Sequence, residues 1–341
     1  MRVGIDARKI ADFGIGTYIR GLLRGLAELE AGDELETGDQ YVAFAPAGTV
    51  LPPGVEHVAV DAPHYSVREL FAVGRAADRA RLDVFHAPHY VVPFTRVPLV
   101  VTIHDLIHLH QPMRNPVAPL YARTMLGRAL RKARRVLTVS EAVKRELERE
   151  LGAKDVLVTP NGVDVTATAA RARSAKMFLY VGNDKPHKNV GTLLEAFALV
   201  RREMEGATLV LAGGAFERFA DRGGVIASGF VSSADLARLY QEATALVMPS
   251  REEGFGLPAA EAMAHGTAVI TSNAPALVEV TGDAALHVDA NDAAALASAM
   301  LRVAREPSLR AELGAKGTAR AALLTWKRCA ELTRSAYQSA F

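Results

Sequence analysis

The chain alternates short apolar runs with amphipathic segments, and the alternation occurs in two series along its length. The apolar runs are almost continuous, as in parallel strands that are buried on both faces of a sheet. The segments between them repeat their apolar positions at helical spacing. The pattern predicts an α/β fold with two doubly wound, Rossmann-like domains that face each other across a cleft.

The first series predicts six strands, with helices such as Tyr18–Leu29 and Glu141–Leu151 between them. The strands are Arg2–Asp6, Tyr41–Phe44, Val84–His86, Leu99–Ile103, Val136–Val139 and Val156–Thr159. The stretch Thr166–Ala175 has little periodicity, so we interpret it as the linker between the domains.

The second series predicts six more strands: Met177–Val181, Thr208–Leu211, Val225–Ala227, Ala245–Met248, Ala268–Thr271 and Ala285–Val288. Its predicted helices are Val190–Glu203, Ala234–Ala243, Leu257–His265 and Asp292–Arg305. A last helical pattern covers Trp326–Ala340.

Composition narrows the class of protein. At 341 residues, half of them apolar, the chain is long enough for two domains with separate cores. A net charge of +2 gives no argument for a nucleic-acid partner. The single cysteine, Cys329, cannot form an intrachain disulfide, which favours a reducing compartment. Because neither a signal-peptide pattern nor an apolar run of membrane-spanning length occurs, we expect a cytoplasmic protein.

The stretch Tyr121–Arg135 is the most basic part of the chain and has no acidic residue. Its basic residues are Arg123, Arg128, Arg131, Lys132, Arg134 and Arg135. A solvated helix face explains such a run. The alternative is contact with an anionic membrane surface at the inner face of the membrane or with a phosphorylated lipid.

The segment EGFGLPAAE, Glu253–Glu261, carries the strongest chemical signal. Pro258 suits the first turn of a helix, so Glu253 precedes that helix and Glu261 lies on it. Helix capping by acidic residues is the alternative, but it explains neither the two glycines nor the second glutamate. Three amides would lie at the helix N-terminus, where a phosphate or another anion is favoured: those of Phe255, Gly256 and Leu257.

A glycine turn, Gly14-Ile15-Gly16, follows the first predicted strand. Backbone exposed at a strand-to-helix turn can contact a pyrophosphate or a sugar ring, although such turns also serve packing alone. The turn also suggests an NAD-dependent oxidoreductase. The third glycine of that fingerprint is replaced by Ile19, however, and the second strand runs into Pro46 without a carboxylate for the ribose. This alternative is therefore remote.

His104 ends an apolar strand, where ligands meet open α/β sheets. It can hydrogen-bond a sugar hydroxyl and face a developing positive charge. We expect no metal site, because carboxylate or thiolate partners at ligand spacing are not evident around the neighbouring histidines. Those histidines are His86, His89, His108 and His110, of which His89 is a candidate for contact with an acceptor.

The segment GNDKPHKN follows the first strand of the second series and contains Lys185 and Lys188. A lysine here can offset the charge of a diphosphate, whereas a solvated loop lysine is the alternative reading.

Several of these segments, in the same order, resemble the family 4 retaining glycosyltransferases, which have the GT-B architecture. The resemblance covers nearly the whole chain and is nearest to bacterial mannosyltransferase-like members. The segments are VTIHDLIHLHQP (101–112), LTVSEAVKREL (137–147), TPNGVD (159–164), YVGNDKPHKN (180–189), EGFGLPAAE (253–261) and GDAALHVDAND (282–292).

The resemblance implies a residue-by-residue assignment. The catalytic residues are His104, near the donor sugar, and Glu253, which contacts sugar hydroxyls. Glu261 would hold the ribose of the nucleotide. Together with the glycine turn and the amides at the helix start, the predicted donor-binding set is Gly14, Gly16, Asn183, Lys188, Phe255, Gly256, Leu257 and Glu261. Family members often have arginine where Asn183 stands, so the strength of the phosphate contact is in question at that position.

The same resemblance implies a domain organisation. Residues 1–165 form the acceptor-side domain, onto which a C-terminal helix within 325–341 packs back, and residues 166–324 bind the nucleotide-sugar donor.

The missing motifs agree with a metal-independent transferase. Metal-dependent glycosyltransferases use a DxD motif, and no two aspartates of this chain are separated by a single residue. A glycoside hydrolase would need two carboxylates flanking the bond, but Glu253 and Glu261 suit a nucleotide better.

We therefore predict a retaining, metal-independent hexosyltransferase without a cofactor. It would take mannose from GDP-mannose to a glycan or lipid-linked acceptor, with nucleic acid excluded as a partner. A UDP-sugar-dependent transferase, a GT-B epimerase and a sugar-nucleotide-binding protein without catalysis remain alternatives.

Overall fold

The computed structural model describes residues 1–31, 38–62, 66–110, 118–164, 173–220 and 222–341. The chain divides into two compact units. The first unit is Met1–Gly162 together with Thr325–Phe341, and the second is Val163–Leu324. Most of the predicted linker, residues 166–172, lies outside the described residues, as does the predicted domain boundary at 165.

Within its described residues, the first unit contains a seven-stranded parallel sheet of order β3-β2-β1-β4-β5-β6-β7. The strands are β1 Arg2–Asp6, β2 Gln40–Ala45, β3 Val55–Ala59, β4 Val84–Ala87, β5 Leu99–Ile103, β6 Ala133–Thr138 and β7 Val156–Val158. The strand order reverses at β1, which pairs with β2 on one side and β4 on the other. In open α/β sheets, ligands bind at the carboxyl edge near such a reversal.

Helices cover both faces of this sheet. They are α1 Ile15–Ala31, α2 Val67–Arg79, α3 Ile107–His110, α4 Ala118–Lys132 and α5 Glu141–Leu151. One buried core includes the apolar face of α1, and a second includes residues of α2, α4 and α5. Ser66 and Ser140 cap α2 and α5 by accepting hydrogen bonds from the amides of Glu69 and Val143.

The described part of the second unit contains a six-stranded parallel sheet of order β10-β9-β8-β11-β12-β13. Its strands are β8 Met177–Val181, β9 Thr208–Ala212, β10 Val225–Gly229, β11 Ala245–Met248, β12 Ala268–Ser272 and β13 Ala285–Val288. Its helices are α6 Val190–Glu203, α7 Ser233–Glu242, α8 Leu257–Ala264, α9 Pro275–Thr281, α10 Ala293–Arg305 and α11 Pro307–Ala321. Here the strand order reverses at β8 and β11, so the loops after these two strands are neighbours.

The last helix, α12 Trp326–Ala340, belongs to the first unit and packs against α1. Gly21 on α1 makes room for it, because a Cβ there would lie 2.1 Å from the ring of Trp326. Thr325 caps the helix by accepting a hydrogen bond from the amide of Arg328.

The predicted fold class is confirmed, and strands β1, β5, β8, β11 and β13 have their predicted bounds. Strand β3 was not predicted, because it is a half-exposed edge strand whose residues lack a continuous apolar run. The interpretation of Tyr121–Arg135 as one helix face was wrong at its end: Arg134 and Arg135 lie on strand β6, which pairs with β5.

Candidate active site

The candidate site of the second unit is built on the two loops at its strand reversal. The loop after β8 holds Asn183 and Lys185 and continues through a short 3₁₀ helix, Pro186–Lys188. The loop after β11 leads through Glu253 to Gly256, where α8 begins. The backbone amide of Arg251 donates to the carbonyl of His187 at 2.7 Å and joins the loops directly.

Asn189 fixes both loops to the sheet edge. Its side-chain amide donates to the carbonyls of Pro249 at 3.0 Å and Ala290 at 2.6 Å. The residue is buried and has a left-handed backbone with φ of 57°. Because asparagine tolerates this conformation, it can end the 3₁₀ helix and begin α6 at one position.

Lys188 and Glu253 form the central ion pair of the site. The Lys188 ammonium donates to both carboxylate oxygens of Glu253, at 2.7 and 2.9 Å. The Lys188 and Glu253 side chains are 17% and 8% exposed, so the pair is shielded from solvent. A buried carboxylate needs such a partner, and the lysine retains one further hydrogen-bond donor for an anionic ligand.

The N-terminus of α8 adjoins this pair in sequence. Gly256 has φ of 92°, and a Cβ there would lie 2.5 Å from the Leu277 side chain, so the position requires glycine. Phe255 is buried, and Pro258 occupies the first turn, where its missing N–H costs nothing. The helix start therefore leaves backbone amides available for an anion.

Glu261 lies on α8, as predicted, and has an unpredicted partner. The Tyr240 hydroxyl donates to Glu261 Oε2 at 2.7 Å. Burial raises the pKa of Glu261 to about 7, while the hydrogen bond from Tyr240 acts in the opposite direction and the charge of Asp164 adds to the rise. The carboxyl group is therefore close to half-ionised at neutral pH.

Asn183 and Lys185 have more local roles in this structure. The Asn183 side-chain oxygen accepts from the amide of Lys185 at 3.3 Å, and its backbone carbonyl accepts from the Tyr180 hydroxyl at 2.8 Å. Asp184 between them forms an ion pair with Arg218. Lys185 is exposed, so the loop presents Lys188 as the more shielded lysine.

The remaining predicted residues belong to the first unit. Gly14 has φ of 53° at the start of α1, and a Cβ there would meet nothing within 4 Å, so its surroundings are open. A Cβ at Gly16 would instead lie 2.6 Å from the carbonyl oxygen of Ile10. Gly16 is thus required for packing of the preceding loop, which is the alternative that the sequence left open.

His104 follows β5 and is held in one orientation. Its Nε2 lies 3.1 Å from the carbonyl oxygen of Pro88, which can only accept, so Nε2 carries the proton. The ring packs edge-on against Tyr18, with centroids 4.7 Å apart. Burial lowers the pKa of His104 to about 4, although the Pro88 carbonyl opposes the shift. At neutral pH the residue offers Nδ1 as a hydrogen-bond acceptor and carries no charge.

Two neighbouring histidines have both ring nitrogens occupied. His86 bonds the hydroxyls of Tyr337 and Thr102, each at 2.8 Å. His89 Nδ1 accepts from the amide of Val91 at 3.2 Å, and Nε2 lies 3.3 Å from Asp6. In this conformation neither His86 nor His89 has a ring nitrogen left for an acceptor.

Sequence reasoning missed a buried charged cluster beside His89. Arg8 donates to both oxygens of Asp6 at 2.8 and 2.7 Å and to Glu69 at 2.7 Å. Burial alone would raise the pKa of Asp6, but hydrogen bonds from His89 and Arg8 hold it well below its usual range. Asp6 ends the first strand at the strand reversal, a position that could have drawn attention to it. Tyr240, by contrast, had no signal in the sequence.

Among the described residues, no group of three or more His, Cys, Asp or Glu is placed to hold a metal ion. In the same part of the chain, no helix is long and apolar enough to cross a membrane. Of the basic stretch, Arg128 bonds the carbonyls of Val92 and Pro93 and stacks over Phe94, 4.2 Å from the ring centroid.

Comparison with known proteins covers both units. Residues 14–167 match the model described as Glycosyltransferase Family 4, and residues 175–306 match Glycosyl transferases group 1. The chain is 30% identical to O-antigen chain mannosyltransferase B of Escherichia coli over 281 residues, 75% of this chain and 74% of that protein. It is 28% identical to O-antigen chain mannosyltransferase RfbU of Salmonella typhimurium over 231 residues, 64% of each chain.

A solved structure shares the whole fold. Sucrose-phosphate synthase from Thermosynechococcus elongatus superimposes with a TM-score of 0.80, covering 99% of this chain and 98% of that one at 22% identity.

Proposed function

The chain belongs to the family 4 glycosyltransferases, and from that premise we propose that it transfers mannose from GDP-mannose to a glycan or lipid-linked acceptor. We further propose that transfer retains the anomeric configuration and needs no metal ion. The two O-antigen mannosyltransferases among its relatives support mannose as the sugar. The Lys188–Glu253 pair beside the start of α8 is the observation that carries the proposal.

The donor site must stabilise the charge that develops on the leaving group during transfer. Transfer breaks the bond between the anomeric carbon and the diphosphate oxygen, so negative charge grows on the leaving group. Lys188 and the amides at the start of α8 would stabilise that charge, as preorganised donors do in a shielded site. These groups would take the part that a divalent cation has in other transferases.

Retention suggests a front-face substitution. In such a step the acceptor oxygen bonds to the anomeric carbon on the face that the diphosphate leaves. The acceptor hydroxyl gives its proton to the departing diphosphate oxygen, so no protein nucleophile is required. Glu253 would orient the sugar through its hydroxyls, and its own orientation is set by the bidentate contact with Lys188.

His104 would act as a neutral group. Because Nε2–H is committed to Pro88, only Nδ1 remains, and Nδ1 can accept a hydrogen bond from a sugar hydroxyl. An uncharged imidazole also avoids repulsion with the positive charge that develops on the sugar ring. Its expected contribution is orientation and electrostatic stabilisation, not proton transfer.

We also propose that the enzyme contacts an anionic membrane surface, where a lipid-linked acceptor would lie. Exposed apolar and basic residues of α4 support this: Leu120 is 65% exposed, and Arg131 and Lys132 are exposed at the other end of the helix. Sedimentation with vesicles containing anionic lipid, compared with neutral vesicles, tests it. Equal binding to both vesicle types, or binding to neither, would contradict the proposed contact with an anionic surface.

A panel of nucleotides tests the donor. GDP-mannose and GDP should raise the melting temperature more than UDP-glucose and UDP do, since ligand at a hundredfold excess over Kd adds about 2.7 kcal/mol of stability. Product analysis by NMR should then show α-linked mannose on the acceptor. Stabilisation by UDP-glucose alone would identify a UDP-sugar enzyme, and an altered sugar nucleotide without transfer would identify an epimerase.

A further inference from the structure

Tyr240 is rigidly held beside Glu261. It is buried on α7, and its ring stacks on His265 with centroids 5.5 Å apart and planes at 18°. Its backbone carbonyl accepts hydrogen bonds from Arg173 at 3.2 Å and from Thr267 at 2.5 Å. A side chain fixed at both its ring and its backbone can hold a partner in one orientation.

The hydrogen bond between the two side chains has a defined direction. Burial raises the pKa of Tyr240 well above its ordinary value, and the negative charge of Glu261 adds to the rise, so the hydroxyl remains protonated. It therefore donates to Glu261 Oε2, at 2.7 Å. No hydrogen bond joins the other oxygen, Oε1, to any part of the chain that the structure describes.

We propose that Tyr240 is a positioning residue, which holds Oε2 of Glu261 so that Oε1 accepts hydrogen bonds from the ribose hydroxyls of the donor. The inference rests on the proposed nucleotide-sugar donor. Tyr240 itself does not touch the ligand. Its role is to keep the carboxylate in a single rotamer and to favour its ionised form, which is the better acceptor for hydroxyl groups.

Two groups in the described part of the chain act on the pKa of this carboxyl group. Tyr240 faces it from α7, and Asp164 acts on it from the segment that opens the second unit. His265, which caps the end of α8, stacks on the Tyr240 ring and has its pKa lowered by burial and by Arg173. Since the Tyr240 hydrogen bond lowers the pKa of Glu261, its loss should move ionisation of Glu261 to higher pH.

A pair of ligands isolates the ribose contact. GDP and 2′,3′-dideoxy-GDP share the base and the titrating phosphates but differ in the ribose hydroxyls. Calorimetry gives the ligand ratio, which is the dissociation constant of 2′,3′-dideoxy-GDP divided by that of GDP. In the wild-type protein this ratio should be about tenfold or more at pH 8 and should fall toward one as pH drops through about 7. The same ratio for the Tyr240→Phe protein should be a few-fold at most at pH 8, with its midpoint shifted to higher pH.

A matched variant separates positioning from loss of a buried hydroxyl. Tyr337→Phe removes a buried tyrosine hydroxyl that bonds His86 in the first unit, and it should leave the ligand ratio and its midpoint unchanged. Glu261→Gln should remove the pH dependence of the ratio altogether. A Tyr240→Phe protein with the wild-type ratio and midpoint would overturn the inference.

Two further results keep the test decisive. If Tyr240→Phe does not fold, NMR of the wild-type protein with ¹³C-labelled tyrosine replaces it. The Cζ resonance of Tyr240 should then titrate with the same midpoint as the ligand ratio. A resonance that does not titrate would overturn the inference. If neither GDP nor UDP binds the wild-type protein, the proposed donor is wrong. Binding of either nucleotide with no ribose preference contradicts the role of Tyr240 alone.

Discussion

The Lys188 ammonium lies between the two carboxylate oxygens of Glu253, at 2.7 and 2.9 Å. The two residues come from loops after β8 and β11, which are adjacent strands at the reversal of the second sheet. Each residue therefore has a partner before any ligand arrives. In the proposed donor site, a diphosphate that approaches Lys188 would meet a charge that is already oriented, and the carboxylate would be held in place for the sugar.

Lys188→Met should lower kcat/KM by about a hundredfold, because it removes both the phosphate contact and the partner of Glu253. Lys185→Met is the matched control, since Lys185 is exposed on the same loop, and its effect should stay within about threefold. Steady-state kinetics with varied donor measures both. Equal effects of the two substitutions would contradict the assignment of Lys188.

The two glutamates should separate kinetically. Glu253→Ala should lower kcat by about a hundredfold or more, because displacement of the sugar alters its alignment with the attacking hydroxyl. Glu261→Ala should mainly raise KM for the donor, since ribose contacts are nearly equal in the ground and transition states. Rates at saturating acceptor decide between them, and an unchanged kcat for Glu253→Ala would remove that residue from the active site.

His104 should not contribute a titration to kcat near neutral pH. Burial lowers its pKa to about 4, so the imidazole is neutral from about pH 5 upward and gains a proton only below that. At saturating donor we expect kcat to be flat between pH 6 and 9 and to fall about tenfold in His104→Ala, the loss of one oriented hydrogen bond. His108→Ala, in the short helix that follows, is the control. A step in the wild-type profile that His104→Ala abolishes would show that His104 changes charge during catalysis.

Transfer should survive chelation. The chain has no DxD motif, and the proposed phosphate contacts come from Lys188 and the start of α8. We expect the same initial rate with EDTA as with added magnesium or manganese. A rate lost in EDTA and restored by either cation would mean that a metal ion carries the phosphate charge.

Gly21→Ala should destabilise the first unit strongly, because its Cβ would lie 2.1 Å from the Trp326 ring on α12. We expect a loss of about 3 kcal/mol in the free energy of unfolding, or failure to fold, as overpacking does in a tight interface. Gly191→Ala is the control, since a Cβ there meets nothing within 4 Å and should be neutral or stabilising by about 0.5 kcal/mol. Chemical denaturation measures both. Equal changes in the free energy of unfolding for the two substitutions would mean that α12 shifts to accommodate the added Cβ at little cost.

Much of the fold followed from local pattern. The apolar runs predicted the central strands of both sheets. These strands are buried on both faces, so their residues are apolar throughout and can be recognised from the local sequence alone. Edge strand β3 and helix α11 were not predicted from the sequence. Half-exposed segments such as these are stabilised by the elements they pack against, so their local pattern is weak. The reason for glycine at position 16 could not be predicted from the sequence either. The structure shows that a Cβ at this position would clash with the carbonyl oxygen of Ile10.

The sequence by itself determined the class of fold, the start of α8 and the chemical types at the candidate site. Periodicity, proline and glycine positions and the spacing of charges are local properties, and they survive in the linear chain. Only the tertiary structure decided the partnerships: Lys188 with Glu253, Tyr240 with Glu261, and Pro88 with His104. These contacts depend on the order of strands in each sheet, which brings distant loops together. The protonation of Glu261 and the tautomer of His104 follow from those contacts and from burial, and neither can be read from residue type alone.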